Sequence, residues 1–301
     1  MKDDKLSFRL RRKIQVLMFK VTSPEYVSRF YFKKFMKQKL NLKDPKTFNE
    51  KIQWLKLYEW PFNKDAIICS DKYLVHQYLK EKGYDEYLND ILYVWDKVDD
   101  IDWNALPKQF VLKCNHGCGY NIIISDKDKA DEKYVKRHLK RWMKQKFGRY
   151  LGEIHYDKIK PMIICEKYLG DKISDYKVHC FNGKPLWLYI STGLDNWDEA
   201  RMSFFNIDGE VAPFQRTDFK LYEEKPALPE KYDELIRISK ELSKDFPFVR
   251  VDFFEIDGKL VFSEMTFTPC GGLMTITPKE YDLTLGNELD ISDLIKKKQT
   301  K

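Results

Sequence analysis

Nothing in this chain approaches the roughly 20 consecutive apolar residues that a membrane-spanning helix needs. Its longest apolar stretches, such as Ile14 to Phe19 and Ile122 to Ile124, are far shorter, so no transmembrane anchor is expected. The opening Met1-Lys2-Asp3-Asp4-Lys5 leads into mixed residues and lacks both the uncharged apolar segment and the cleavage site of a secretory signal. A cytoplasmic location is the expectation. Cysteine is sparse, with six residues at 69, 114, 118, 165, 180 and 270. They are scattered, several within apparent strands, which suits reduced, buried thiols rather than a disulfide frame. Cys114 and Cys118 flank His116, but no second ligand pair stands at zinc spacing. No G-x-S-x-G elbow and no obvious Cys-His pairing outside that turn offers a side-chain nucleophile. Neither a repeat nor a low-complexity tract is present, and glycine and proline sit singly at turns.

What is present is enough to build a core. Of 301 residues, 43% are hydrophobic and 15% aromatic, which allows one large domain or two joined lobes and argues against disorder. The formal net charge of +7 suggests an anionic partner, although charges of both signs are spread along the chain. Much of the excess is N-terminal. Arg9, Arg11, Arg12, Lys13, Lys20, Arg29, Lys33, Lys34, Lys37 and Lys39 alternate with apolar residues at roughly helical spacing. Two readings stand: a basic amphipathic segment resting on an anionic membrane surface, or a helix packed on the body with its lysines in water. A nucleic-acid partner is not expected.

The first hundred residues read as helical with short breaks. Thr47-Phe48-Asn49-Glu50 is a capping box, and Asp71 to Lys82 leads to a C-cap at Gly83. After Pro107 the pattern changes to strands: Phe110 to Cys114, a glycine-containing turn over Asn115 to Tyr120, then Asn121 to Ile124. A charged helix spans Asp131 to Phe147, and Met162 to Tyr168 reads as a buried strand. Hairpins are predicted around Asn182-Gly183, Asp208-Gly209 (pairing Met202 to Asn206 with Glu210 to Phe214) and Asp257-Gly258. A helix from Glu230 to Lys244 precedes the last of these. Helices first and hairpins afterwards indicate an α+β arrangement dominated by antiparallel sheet.

Three constellations carry the chemistry. Lys113 on a strand, followed by Asn115-His116-Gly117-Cys118-Gly119-Tyr120-Asn121, places an ammonium beside backbone N–H groups that can approach phosphate oxygens. A plain hairpin gives the same pattern, and the segment is neither a Walker A loop nor G-x-G-x-x-G. Second, Asp252 and Glu264 lie among apolar residues on adjacent strands, where an unpartnered charge is costly. A two-residue Asp257-Gly258 turn would put the two on opposite faces of the sheet, whereas a three-residue Ile256-Asp257-Gly258 loop, the one expected, would pair Arg250 with Glu264. It would leave Asp252 diagonal to Glu264 on one face, so that Asp252, Glu264 and Thr266 form an oxygen-rich row able to hold Mg²⁺. The alternative is a salt bridge between Arg250 and Glu264 with Asp252 solvated. Third, the strand Ile163 to Tyr168 ends in Leu169-Gly170-Asp171, a turn whose backbone could meet an adenine edge. Asp175, Lys177 and His179 follow, alternating with apolar residues so that one face is ionic; a face in water is the ordinary account of that pattern.

Taken in order, these features resemble the ATP-grasp fold, and most closely its TupA-like branch among bacterial surface-polysaccharide enzymes. The resemblance runs from about Leu40, through Lys46 to Lys51 and Asp71-Lys72-Tyr73, to about Pro269. It implies an α+β, ATP-grasp fold of two lobes with mainly antiparallel sheets clasping ATP, behind a helical N-terminal region. The expected division is 1–45 as a basic helical segment and 46–110 as a helical substrate region. The small lobe would be 111–169 and the large lobe 170–301. Lys113 is expected on the α/β-phosphates, with Asn115, His116, Gly117, Gly119 and Asn121 in the turn closing over the phosphate tail. Glu166, Lys167, Tyr168 and Leu169 would be the adenine hinge and Asp175 would lie near the ribose. Lys177 would face the γ-phosphate, and Asp252 and Glu264 would ligate Mg²⁺. Thr266 stands where an asparagine normally completes the metal row. The activity implied is ATP-dependent carboxylate–amine ligation through an acyl phosphate. The acceptor would be a uronic-acid carboxyl on a glycan, or an amino acid, and Arg201, Arg250 and Lys72 are candidates for its carboxylate clamp. The principal rival is a glycosyltransferase using Asp126-Lys127-Asp128 as a D-x-D metal site; a phosphotransferase and a non-catalytic basic module are the others.

Overall fold

The computed structural model describes residues 4–170, 173–193 and 199–300; Asp171 lies outside them. Helix α1 (Leu6–Val21) is followed by α2 (Pro24–Met36), which opens with proline at its first position and the Ser23 hydroxyl accepting from the Tyr26 amide. The expected capping box is formed at α3 (Phe48–Tyr58): Thr47 Oγ1 accepts from the Glu50 amide at 3.3 Å, and Glu50 Oε2 accepts from the Thr47 amide at 3.1 Å. Helices α4 (Lys64–Ser70) and α5 (Leu74–Glu81) complete the region. The helix expected from Asp71 begins only at Leu74, because the Asp71 carboxylate accepts the amides of Tyr73 and Leu74 and acts as a cap. A strand, β1 (Ile91–Trp95), interrupts the part of the chain read as helical.

Two antiparallel sheets dominate the rest. The smaller has the order β1-β4-β2-β3, with β2 (Phe110–Cys114), β3 (Asn121–Ile124) and β4 (Ile163–Lys167) where strands were expected. Its Phe110, Leu112, Cys114, Ile122 and Cys165 pack with Val135, Leu139 and Trp142 of α6 (Glu132–Trp142). This helix is shorter than expected, ending at Trp142 rather than Phe147. Strand residues alternate between faces, so Val111, Lys113, Asn121, Ile123 and Glu166 share the opposite side.

The larger sheet contains β5 (Asp175–Phe181), β6 (Lys184–Thr192), β7 (Arg201–Asn206), β9 (Phe248–Ile256) and β10 (Lys259–Thr266), ordered β10-β9-β5-β6-β7. A two-residue pair, β8 (Gln215–Arg216) with β11 (Ile276–Thr277), stands apart. The Asn182-Gly183 hairpin forms as expected. Around Asp208-Gly209 the turn closes, but residues 210–214 make only a bridge from Val211 to Phe205, so the expected return strand is absent. Val178, Val251 and Phe253 of one face belong with Leu235, Ile238 and Leu242 of α7 (Tyr232–Ser243) to the larger core. On the other face Phe48 of α3 covers Phe181 and Phe248 with ring centroids 5.6 and 5.1 Å away, closing one end and leaving the other to the polar residues. Helices α8 (Tyr281–Glu288) and α9 (Ser292–Gln299) finish the chain. Among the described residues no helix is long and apolar enough to cross a membrane.

Candidate active site

The polar faces of the two sheets line one cleft of about 340 Å³, within the usual size range of small-molecule sites. Lys113, Asn121 and Glu166 come from the small sheet, and Asp175, Lys177 and Glu264 from the large one. The period-2 pattern explains the grouping: Lys113 pairs with Asn121, Val111 with Glu166, and Lys177 with Asp252.

The β9–β10 hairpin arrives at its arrangement by a route other than the one expected. Ile256 pairs with Lys259, so the loop has two residues, with Asp257 and Gly258 at φ 49° and 68°. Those angles are those of a type I′ turn, whose twist suits the flanking strands. Unbroken, that register would set Ser263 opposite Asp252 and turn Glu264 to the far face. A bulge between Phe262 and Glu264 inserts one residue, and Glu264 lies directly opposite Asp252 with Thr266 opposite Arg250. The two carboxylates therefore share a face, while the three-residue loop and the pairing of Arg250 with Glu264 are corrected.

The row itself is filled by Arg250. Its Nε and Nη2 donate to the two Asp252 oxygens at 2.7 and 2.5 Å, and Nη2 also reaches Glu264 Oε1 at 3.1 Å and Thr266 Oγ1 at 3.0 Å. Lys177 Nζ lies 3.1 Å from Asp252 Oδ2 and also pairs with Asp175. Asp252 is fully buried with both oxygens engaged, so the solvated alternative fails. Asp252, Glu264 and Thr266 as arranged do not form a three-donor metal site, and the described residues contain no group of three His, Cys, Asp or Glu side chains suited to one. Glu264 alone fits a cation in the cleft: it is partly exposed, and its Oε2 is 3.5 Å from Lys72 Nζ. Burial would raise its pKa, but Lys72, Arg250 and Lys177 outweigh this and hold it at about 2. Mg²⁺ commonly binds through one or two carboxylates together with substrate phosphates, so a lone carboxylate is compatible with the metal entering as MgATP.

Burial likewise opposes the charge on Lys177, yet Asp175 and Asp252 keep its pKa above the ordinary lysine value. The Asp175 pKa is also shifted upward, by burial that Lys177 only partly offsets and to which Asp252 adds. The ionic face of β5 is thus buried rather than in water: Asp175, Lys177 and His179 are each less than 9% exposed. His179, beside Arg250 and among Tyr189, Phe204 and Phe248, has its pKa driven down by burial and then by Arg250.

In the small sheet, Lys113 Nζ donates to Glu166 Oε2 at 2.6 Å. Burial raises the Glu166 pKa, but Lys113 more than reverses this. At the hinge, the Lys167 amide donates to the Asp90 carbonyl and its carbonyl accepts from Asn89, while Leu169 lines the cleft. Within the turn, the residues expected to close over the phosphates divide. Asn115 is buried, its amide nitrogen donating to both Asp71 oxygens and its oxygen accepting from the Met162 amide. His116 turns inward to the Trp142 carbonyl at 3.2 Å, and burial lowers its pKa. A Cβ on Gly117 would lie 2.7 Å from Tyr120 and 2.9 Å from Phe147, so this glycine serves packing. Cys118, Gly119, Tyr120 and Asn121 are the turn residues that reach the cleft.

Two expected clamp residues are elsewhere. Arg201 pairs with Thr192, one step out of phase with Asp175 and Ser191, so it projects from the other face and donates to the carbonyls of Glu199 and Ala200. Arg250 is engaged as described. Lys72 remains, in the cleft and donating to the Gly117 carbonyl at 3.0 Å. The D-x-D tripeptide also lies apart from the cleft: Asp126 accepts from the Asp128 amide and pairs with Lys129, while Lys127 donates to the Leu106 carbonyl. Sequence reasoning missed the apolar cleft residues Val111, Ile123, Ile173 and Phe254; Val111 and Ile123 were discoverable, being two positions from Lys113 and Asn121.

Residues 50–290 match the family model described as TupA-like ATPgrasp. The chain belongs to the TupA-like ATP-grasp family. It is accordingly an ATP-grasp ligase, forming a C–N bond between a carboxylate and an amine with cleavage of ATP. Among solved structures, the chain is similar to D-alanine–D-alanine ligase from Bacillus anthracis complexed with ATP (17% identity, 78% of this chain and 69% of that one, TM-score 0.46). It is also similar to D-alanine–D-alanine ligase from Helicobacter pylori (16%, 75% and 62%, TM-score 0.40) and to L-amino acid ligase from Bacillus licheniformis (12%, 89% and 61%, TM-score 0.45). No curated protein matches it in sequence.

Proposed function

We propose that this TupA-like ligase joins an amine, an amino acid for preference, to a uronic-acid-type carboxylate of a bacterial surface polysaccharide or its precursor. The observation that carries the site assignment is the meeting of Lys113 from one sheet with Lys177 and Glu264 from the other across a single cleft. Three cations, Lys72, Lys113 and Lys177, suit a polyphosphate and a carboxylate together. The glycan half of the reading rests on family membership.

In this reading the base lies among Val111, Ile123 and Phe254, against the Leu169 backbone. Asp175 Oδ1, which is buried without a hydrogen-bond partner among the described residues, would accept from a ribose hydroxyl. Lys113 exchanges Glu166 for the α/β-phosphates, and the turn from Cys118 to Asn121 closes over the phosphate tail. Lys177 faces the γ-phosphate, Glu264 would hold the magnesium of MgATP, which would offset charge on the phosphate oxygens, and Lys72 orients the acceptor carboxylate. A carboxylate oxygen attacks the γ-phosphorus while the bond to the β-phosphate oxygen breaks, giving ADP and an acyl phosphate. The amine nitrogen then attacks the acyl carbon, phosphate leaves and the amine's proton is lost. Closure of the cleft excludes the water that would hydrolyse the intermediate.

The test is ADP release by the purified chain with MgATP, glucuronate-containing oligosaccharides and a panel of amino acids. The expected result is ADP, phosphate and an amide only when carboxylate and amine are both present. ADP release without amine, accompanied by a stable phosphorylated sugar, would make the enzyme a phosphotransferase and overturn the proposal.

A further inference from the structure

The N-terminal helix is fastened to the body along one side and leaves an apolar stripe uncovered on the other. Its inner side is fastened to the body: Gln15 Nε2 donates to the Tyr150 carbonyl at 3.1 Å, the Arg12 guanidinium lies 4.0 Å from the Tyr150 ring centroid, and Arg149 lies 5.7 Å from that of Phe19. Leu6, Leu10, Ile14, Leu17 and Val21 point the other way and are 73, 55, 57, 59 and 71% exposed. Steps of four, four, three and four residues at 100° each put them within an arc of roughly 80°. Scattered surface leucines need no explanation, but a continuous stripe on a helix already anchored by its other side does.

The same helix walls a cavity of about 550 Å³ against the end of α6 and the turn beyond it. Arg9, Arg12, Lys13 and Lys20 face Arg141, Lys144 and Lys146 across it, and no carboxylate among the described residues lines it. Arg141 is 3.6 Å from Asp4 and Arg12 donates to Gln15, while Arg9, Lys13, Lys20, Lys144 and Lys146 have no described carboxylate partner. Residues 6–21 contain five basic side chains and no acidic one. Leu17 belongs both to this cavity and to the exposed stripe, so the two features are continuous.

We propose that α1 lies in the interface of an anionic membrane, with its stripe among the acyl chains and the α1–α6 cavity seating a lipid phosphate. Arg9, Lys13 and Lys20 flank the stripe, where long stems can run along apolar surface with the charge at head-group level. A nucleic acid would use the cations but leave five apolar side chains in water, so the stripe decides for lipid. The anionic surface would bring the cleft to lipid-borne substrates, although the docking argument is independent of the ligase reading.

Flotation of the full chain with vesicles tests this. Wild type should float with equimolar phosphatidylglycerol and phosphatidylcholine, about tenfold or more above phosphatidylcholine alone, and added salt should reduce the difference. Leu10→Ser with Leu17→Ser should abolish flotation at low salt, and Lys144→Glu with Lys146→Glu should lower it about tenfold or more. Thermal melting verifies that each pair of substitutions leaves the fold intact; if either fails to fold, the wild-type lipid and salt comparison decides. Equal flotation on both vesicle types, unchanged flotation of folded variants, or binding to duplex DNA but not to vesicles would each overturn the proposal.

Discussion

Lys113 is asked to do two things, and the structure allows them to be separated. It compensates Glu166, which is 6% exposed and whose other partners among the described residues are the Asn89 amide at 3.5 Å and the His76 ring nearby. Removing one member of a buried ion pair typically destabilises by about 3–5 kcal/mol, because the other charge stays behind. The Lys113 side chain retains 19% exposure, so the lower end, about 3 kcal/mol, applies to Lys113→Met. For a chain of 301 residues that is a fall in Tm of roughly 5 °C. Replacing both partners, Lys113→Met with Glu166→Gln, removes the orphaned charge and should return most of that loss. Affinity for the nucleotide should follow the other pattern. Without an ammonium beside the phosphates, MgATP binding stays weak in the single and the double variant, by about 1.5–3 kcal/mol or roughly 10- to 150-fold.

Thermal denaturation and calorimetric titration with MgATP give the two readouts. A double variant that recovered both stability and wild-type affinity would show that Lys113 has no part in nucleotide binding. A single variant as stable as wild type would show that the close Lys113–Glu166 contact contributes nothing to the fold.

Glu166 also sets a pH dependence. Its folded pKa lies below its ordinary value, so its contribution to stability is present above about pH 4.5 and is lost as the pH falls through the folded value. The Tm difference between wild type and Glu166→Gln should shrink below that pH, and a constant difference from pH 6 to the acid limb would refute the coupling. Glu264→Gln should reduce turnover by about 10²-fold or more with little change in Tm, since Glu264 is the partly exposed member of its network; activity within a few-fold of wild type removes it from the metal role. Gly117→Ala should destabilise through its contacts with Tyr120 and Phe147. Gly119→Ala meets no neighbour, and at φ 74° it should act on turn conformation, seen as a raised KM for ATP. Equal melting of the two variants would refute this division.

The alternation of side chains was the most legible feature of the sequence, because it is local. Asp175 and Lys177 were singled out from it, whereas Lys113 and Asn121 came from the strand and its glycine turn and Glu166 from the family resemblance; all five line the cleft. The cap at Thr47 and the turn at Asn182-Gly183 were legible for the same reason. What was lost depends on partners far along the chain. Asn115 looked like a phosphate ligand until Asp71, 44 positions away, took its amide. Arg201 looked like a free cation because nothing in its neighbourhood shows the phase in which β7 joins β6. Strand β1 escaped notice because it is an edge strand with only partly buried side chains, which weakens the periodic signal that marks a strand.

The β9–β10 hairpin shows why a correct grouping does not certify the reasoning behind it. Asp257-Gly258 dictates a two-residue turn by its own dihedral preferences, and that turn taken alone separates Asp252 from Glu264. The bulge before Glu264 brings them back, and no residue type in Phe262-Ser263-Glu264 announces it. Its physical cause is the charge on both strands. With Glu264 turned to the α7 side, a carboxylate would enter the apolar core, and Arg250 would lose one of its two carboxylate partners, keeping Asp252. One extra residue lets Arg250 join Asp252, Glu264 and Thr266 in a single hydrogen-bonded set. The same electrostatics that would later meet a polyphosphate therefore fix the register of the strands that carry it, and Arg250 acts as a positioning residue. Arg250→Met should then do more than lower Tm. By leaving Asp252 with Lys177 as its remaining charge partner, it should draw Lys177 away from the cleft and raise KM for MgATP. A stable variant with unchanged KM would separate the register from the chemistry and refute that link.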